Sequence, residues 1–346
     1  MRIYKIDPIT DPRWMELQQR HPQSSIFHTR GWLSALQRTY GYEPIAFTTS
    51  PPGSDLANGF PFCHVDNWPA GSRLVSLPFS DHCRLLLTDS EDLDCLLTAL
   101  QRQLADKRWQ YIEIRSPGFD MAKPQEYGKA ESFYFHAIDL RPSLDEIFRR
   151  FHRDCVQRKV HRAESENLTY EEGRSGSLLN KFYHLLLMTR RRQRLPPQPI
   201  EWFRNLISCL GDAITIRVAL KDNKPIASIL TLRHRESMVY KYGCSDEKFN
   251  NLGGTQLLLW RTIREAKNNN LLEFDMGRSD IDNSGLITFK DRWGAARSVL
   301  TYWRYPRLSR RVYSPVWARW AASKMLAYMP DRMLTTAGKL LYKHAG

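Results

Sequence analysis

Asp275 and Lys290 are the charged side chains of this sequence whose surroundings most need explaining. Asp275 stands in Leu271–Gly277 (LLEFDMG), and a carboxylate among leucine and phenylalanine is costly to bury unless it is paired. Read as a strand, the run puts Glu273 and Asp275 on one face and Phe274 and Met276 on the other. A salt bridge to Arg278 or Lys290 would account for the carboxylate. A group that orients or deprotonates an amine at a cleft would do so equally well. Lys290 follows in Phe289–Gly294 (FKDRWG), where Phe289 and Trp293 are spaced to form an apolar anchor behind an ammonium. Such an ammonium can polarise a carbonyl or bind a phosphate, or be an ordinary turn lysine. Gly253 and Gly254 open a helical pattern over Gln256–Lys267, and free amides at a helix start suit a phosphate or a developing oxyanion. Two glycines in a tight turn also need no ligand. Acyl transfer to an amine requires these three things: a deprotonated nitrogen, a polarised carbonyl and a held donor.

Arginines supply the other chemical signal. Apolar residues across Leu144–Glu166 predict one helix whose exposed side carries Arg149, Arg150, Arg153, Arg158, Lys159 and Arg162. A second helix, Leu178–Met188, runs into Thr189–Pro197 (TRRRQRLPP), where Arg191, Arg192 and Arg194 crowd before a double proline. Both stretches read either as solvated basic faces or as phosphate clamps, because guanidinium forks match phosphate oxygens. In the first half, Leu77–Cys83 (LPFSDHC) places Asp81 and His82 side by side after a strand. Neighbouring positions cannot make a hydrolase triad, and there is no G-x-S-x-G elbow.

The elements that must position these groups are an α/β mixture. Helices are predicted over Asp11–His21, Gly31–Tyr40 with Thr29 as N-cap, and Leu93–Lys107. Strands are predicted over Pro44–Thr49, Phe60–Val65, Arg73–Leu77 and Tyr111–Arg115, with residues 116–130 as a surface loop. The second half offers the helix Ile200–Leu210 and the strands Pro225–Leu232, Met238–Cys244 and Leu272–Met276, with Ser245–Thr255 as a glycine-containing loop. The domains are set at 1–140, 141–305 and a tail at 306–346. In the tail, Trp317–Met329 and Arg332–Lys343 have the pattern of amphipathic helices.

Charge divides the chain. Residues 1–140 carry 14 Lys/Arg against 17 Asp/Glu, so the net +14 arises entirely in the second part. From Thr301 onward there are nine Lys/Arg and a single acidic residue, Asp331, interleaved with Trp303, Trp317 and Trp320. The partner of this half is anionic: phosphate, RNA or an anionic membrane surface. The six cysteines form no C-x-x-C pair and show no metal-ligand spacing with histidine, so no metal is expected and the thiols are read as buried in a reducing compartment. Cys244, ending a strand beside the glycine loop, is the one thiol placed to act as a nucleophile. The first residues lack a signal-peptide pattern, and no apolar run is long enough to span a bilayer. The expected location is the cytoplasm, or the inner face of the plasma membrane as a peripheral protein.

The succession of hairpin, glycine loop, helix and acid-bearing strand resembles the FemAB-like branch of the GNAT acyltransferase superfamily over about residues 25–305. The motifs that carry the resemblance are FHTRGWLSAL at 27–36, the Pro78–Asp81 loop, Arg158–Arg162–Ala163, the arginine run before Pro196, Asp275-x-Gly277 and Phe289-Lys290-x-x-Trp293-Gly294. The resemblance implies tandem GNAT-like domains with a basic helical C-terminal tail. It implies transfer of an acyl or aminoacyl group to an amine of a cell-envelope or exopolysaccharide precursor, or of an amino sugar. Acyl-CoA or aminoacyl-tRNA would be the co-substrate, with no tightly bound cofactor and no DNA partner. Asp275 would orient or deprotonate the amine and Lys290 stabilise the oxyanion. Gly253, Gly254, Arg158, Arg191, Arg192 and Arg194 would hold the donor's phosphates, and Asp81, His82, Tyr242, Phe289 and Trp293 would line the acceptor groove. The loop NNLGGT departs from the Q/R-x-x-G-x-G/A of CoA-using relatives, which leaves both donors open. The alternatives are an aminoacyl-tRNA-dependent peptidoglycan-bridge ligase and a catalytically silent scaffold in polysaccharide assembly.

Overall fold

The computed structural model describes residues 2–67, 71–87, 90–107, 109–117, 127–306 and 329–344. The chain divides into two compact units. The first comprises residues up to Phe133 with 300–306 and 342–344; the second comprises Tyr134–Val299 with 329–341.

In the first unit the chain runs β1 (Tyr4–Ile6), α1 (Pro12–Arg20), α2 (Arg30–Tyr40), β2 (Glu43–Thr48), β3 (Phe60–Asn67), β4 (Gly71–Val75), α3 (Ser90–Lys107) and β5 (Ile112–Ile114). These strands lie in the order β1-β2-β3-β4-β5, antiparallel except for the parallel pair β4–β5. The last residues of β12 (Ala296–Tyr305) then pair antiparallel with β5. Helix starts follow local chemistry. Asp11 caps α1 by accepting from the Arg13 amide with Pro12 in the first turn, and Thr29 caps α2 by accepting from the Trp32 amide. Gly41, at φ +73°, ends α2. Phe47, Phe60, Phe62, Leu96, Leu100 and Ile112 form the core. One buried charge joins two strands: Glu113, 3% exposed, accepts from Arg115 at 2.7 Å and Arg304 at 2.6 Å. Burial alone would raise its pKa, but the two guanidiniums hold it below the ordinary value.

The second unit contains the end of β6 (Gly128–Asp139), α4 (Leu144–Arg150), α5 (Arg158–Ser165), β7 (Thr169–Gly173), α6 (Gly176–Gln193) and α7 (Ile200–Leu210). It continues through β8 (Ile214–Lys221), β9 (Lys224–His234), β10 (Ser237–Ser245), α8 (Gly254–Asn268), β11 (Glu273–Asp280), α9 (Ser284–Asp291) and most of α10 (Asp331–His344). Its strand order is β6-β11-β10-β9-β8-β7. The pairs β7–β8, β8–β9 and β9–β10 are antiparallel, the first joined through α6 and α7, while β10–β11 is parallel and crosses over through α8. Val160, Ala163, Leu258, Ile263, Phe274 and Trp293 meet in one core beneath α5 and α8.

Several sequence expectations change here. The single helix over Leu144–Glu166 is broken, because Phe151 is extended and the His152 ring caps a new π-helical turn by accepting from the amides of Asp154 and Cys155. The helix expected to stop at Met188 continues to Gln193. Its last turn is basic, which suits the negative end of the helix dipole, and Arg194 closes it in the left-handed region. The loop placed at 116–130 gives way to β6 from Gly128, with 118–126 outside the described residues. In the tail, α10 matches the expected Arg332–Lys343 helix, while nearly all of Trp317–Met329 lies outside the described residues.

Candidate functional site

The site is built on a parallel pair that fails to continue. β10 and β11 pair only through Ser237↔Glu273, Met238↔Phe274 and Val239↔Asp275, yet β10 runs on to Ser245 and β11 to Asp280. Beyond Val239 the strands part, and the wedge between them is edged by amides and carbonyls that no longer meet across a ladder. At the parting, the register of β10 against β9 slips between Tyr240 and Tyr242. A bulge turns local backbone groups away from the ladder, and such bulges recur beside active sites. Gly243 leaves room for the Tyr240 ring, whose hydroxyl would have to shift to admit a Cβ there.

The other wall bends at Gly277, whose φ is +72°. Asp275 Oδ1 accepts the Gly277 amide at 2.6 Å. Lys290 Nζ, reaching from α9, donates to Gly277 O at 2.9 Å and to Arg278 O at 2.7 Å. Both charged residues are buried, at 1% and 2% exposed, and a buried charge is tolerable when hydrogen bonds replace its water. The D-x-G spacing therefore has a local physical reason: glycine permits the bend, and the aspartate two residues earlier holds it. Lys290 sits on the short helix α9, an element not assigned from sequence. Asn283 caps that helix by accepting from the Leu286 amide.

At the far end of β10 a turn leads into α8. Gly253 is left-handed, and a Cβ there would strike Lys159 O; a Cβ longer than hydrogen on Gly254 would press on Ala227 and Ile226 at 3.2 Å. The glycine pair thus admits close packing of α5 and β9 and also opens α8. The first amides of α8 have no acceptor within the helix, and no side chain caps its start. Lys159 Nζ donates to Asn250 O at 3.4 Å, which sets an ammonium beside this turn. Arg192 Nη1 donates to Ser245 O at 3.3 Å, and Thr189 bonds both the amide and the carbonyl of Ser245, at 3.0 and 3.2 Å. The last turn of α6 is thereby stitched to the mouth of the wedge.

The remaining arginines are placed elsewhere. Arg191 pairs with Asp331 at 2.6 Å and donates to Met329 O at 2.9 Å; Arg194 is the exposed C-cap of α6. Arg158 pairs with Asp154, four residues earlier, at 2.9 Å on the exposed side of its helix. Two of the residues expected to line an acceptor groove are buried among aromatic neighbours. Tyr242 accepts from Trp202 Nε1 at 2.9 Å and packs against Phe203, while Trp293, 1% exposed, meets Phe151 with ring centroids 4.9 Å apart. Phe289 is half-buried against the same core. Asp81 and His82 belong to the first unit: Tyr302 donates to Asp81 O at 2.6 Å, and His82 stands edge-on to Phe27. Their loop carries two strained residues, Leu77 and Phe79, at φ +54° and +60°.

Cys244 is 4% exposed, its Sγ lies 3.5 Å from Phe182 O, and burial pushes its thiol up. A thiol so held is a poor nucleophile. Sequence reasoning missed the bulge of β10, which depends on pairing with β9. It also missed Ser279, whose buried hydroxyl on the diverging part of β11 has no hydrogen-bond partner among the described residues. His136, fully buried on β6 and 3.3 Å from Asp291, was missed too; burial and then Lys290 lower its pKa. Among the described residues no group of His, Cys, Asp and Glu could hold a metal, and no helix is long and apolar enough to cross a membrane.

Residues 146–291 match the family model of the acetyltransferase (GNAT) domain. No curated protein matches the chain in sequence. Among solved structures, FemX is 14% identical with a TM-score of 0.66, covering 88% of this chain and 97% of that one. L-PGS from Bacillus licheniformis is 15% identical at a TM-score of 0.56, covering 92% and 98%. A tandem GNAT protein from the clavulanic acid biosynthesis pathway is 10% identical at 0.53, covering 89% and 100%. At these identities the likeness is one of fold.

Proposed function

We propose that this chain, a GNAT-superfamily protein of FemAB-like fold, transfers an acyl or aminoacyl group to an amine carried by a cell-envelope or exopolysaccharide precursor. The observation that carries the reading is the parting of β10 and β11 after Val239↔Asp275. An acyl donor lying in that wedge extends one edge of the sheet, so a freed amide near the β10 bulge can hold its carbonyl and then the oxyanion. The donor's phosphate groups meet the start of α8 at Gly253 and Gly254, with Lys159 and Arg192 as counter-charges. The amine attacks the carbonyl, the tetrahedral oxyanion collapses, and the donor's thiolate or ribose oxygen leaves. We assign the amine's proton to water in the open wedge. Ser279 supplies a hydroxyl to the bound chain. Asp275 and Lys290 are positioning residues in this scheme, because both bond the backbone at the bend of Gly277 and Arg278.

The test is a thermal-shift and transfer panel with acetyl-CoA, longer acyl-CoAs and charged tRNA, with an amino sugar and a UDP-linked precursor as acceptors. A ligand that binds the native state raises the melting temperature by mass action. A shift with an acyl-CoA that is lost in Arg192→Ala supports a thioester donor. A shift with charged tRNA alone supports aminoacyl transfer. No shift and no product across the panel would sink the enzyme reading and leave a scaffold.

A further inference from the structure

Among the described residues, helix α10 packs by one side only. Leu334 is fully buried, and Gly338 lies so close to the carbonyl of Pro197 that any side chain there would collide with it. The other side carries Met333, Ala337 and Leu340 at the spacing of a single helical face, with Leu341 beside them. Met333 and Leu340 are each 59% exposed and Leu341 is 53% exposed. Lys343 and Lys339 are exposed on the flank next to Leu340, about 60° and 100° round the helix from it. The Arg191–Asp331 pair fastens the first turn of α10 to the end of α6.

Charge decides what covers such a face. From Arg307 to the end the sequence has eight Lys/Arg, and its one acidic residue, Asp331, is already paired with Arg191. RNA would engage the cations but leave Met333, Leu340 and Leu341 in water. An anionic bilayer offers both a phosphate layer and, just beneath it, an apolar one, which is the setting of interfacial amphipathic helices. We propose that the outer face of α10 docks on a bilayer containing anionic lipid, with Met333, Leu340 and Leu341 entering the headgroup boundary and Lys339 and Lys343 on lipid phosphates. Docking of this kind is independent of the transfer reaction and needs no donor.

Co-sedimentation of the full chain with phosphatidylcholine vesicles, with and without phosphatidylglycerol, tests it. The chain is expected on the phosphatidylglycerol vesicles only, with binding that weakens as salt rises. Leu340→Glu with Leu341→Glu should cut that binding by about tenfold or more, because two apolar side chains no longer leave water. Lys339→Glu should cut it severalfold. Both sets of substitutions lie on exposed positions, so the melting temperature and the donor thermal shift stay as in the unsubstituted chain. Equal sedimentation of the Leu340→Glu/Leu341→Glu variant and the unsubstituted chain overturns the proposal, as does indifference to phosphatidylglycerol. Loss of tRNA binding in place of vesicle binding also overturns it and gives the face to RNA.

Discussion

Asp275 and Lys290 grip the same residue from its two ends: the carboxylate takes the Gly277 amide at 2.6 Å, and the ammonium gives to the Gly277 carbonyl at 2.9 Å. Opposite charges are thus spent on one bent peptide, and the bend sets the course of β11 along the wedge. Asp275→Asn keeps an oxygen for the amide, so stability and transfer should both survive within a few-fold. Asp275→Ala and Lys290→Met each leave buried backbone groups unmatched, at a cost of about 2–4 kcal/mol. Melting temperature and transfer rate should fall together in these two. A dead but fully stable Asp275→Asn protein would falsify the positioning role and restore the carboxylate as an acid–base group.

Glycine positions separate strain from collision. Gly41→Ala places a Cβ in open space at φ +73° and should cost about 1 kcal/mol for the left-handed backbone alone. Gly253→Ala adds a collision with Lys159 O to similar strain, so a loss of about 3 kcal/mol or more is expected. Chemical denaturation of the two variants checks the difference; equal losses would mean that α5 yields without cost.

Acid should weaken the fold in two stages. His234 is lowered to about 4 by burial, with Arg235 adding to it, and His136 is lowered for the same first reason. A histidine that resists protonation when folded but accepts it when unfolded destabilises the fold as pH drops below about 6.5, toward the folded value. Glu113, lowered by Arg115 and Arg304 against its burial, adds a loss below its ordinary value near 4.5. Melting temperatures from pH 7 to 3 should therefore decline early in the wild type. The early decline should be smaller in His234→Leu; an unchanged profile there would show that this ring is not responsible.

Arg192→Ala and Lys159→Ala should raise the donor KM by about tenfold each and leave kcat nearly unchanged, as expected for groups that bind phosphate equally in ground and transition states. Steady-state kinetics at low and high salt would show it. A fall in kcat at constant KM would place either residue at the reacting carbonyl instead.

Cys244→Ala should retain full transfer activity and lose about 1–2 kcal/mol for the vacated space. Alkylation of Cys244 in the native protein at a rate above that of global unfolding would contradict its burial.

Much of this fold was readable from residue types. Thr29 announced α2, alternating apolar residues announced β9 and β10, and the Asp275-x-Gly277 and Phe289–Gly294 motifs marked the segments that meet at the bend. Long-range geometry was less accessible. The break at Phe151 depends on a histidine ring competing as a cap, and the bulge in β10 depends on its partner strand. The burial of Tyr242 and Trp293 depends on contacts distant in sequence, with Trp202 and Phe203 for the first and Phe151 for the second. The short helix α9, with threonine and isoleucine among eight residues, has too weak a propensity to stand out.

The row of main-chain amides and carbonyls where β10 leaves β11 gives the proposed cleft a vocabulary that side-chain replacement cannot edit. Alanine scanning along Tyr240–Ser245 would remove packing but none of those hydrogen-bonding groups. Only changes to the chain itself, such as a proline or an amide-to-ester exchange, would delete one. Side chains around the mouth are then free to vary with the acceptor while the means of gripping an acyl carbonyl stays constant.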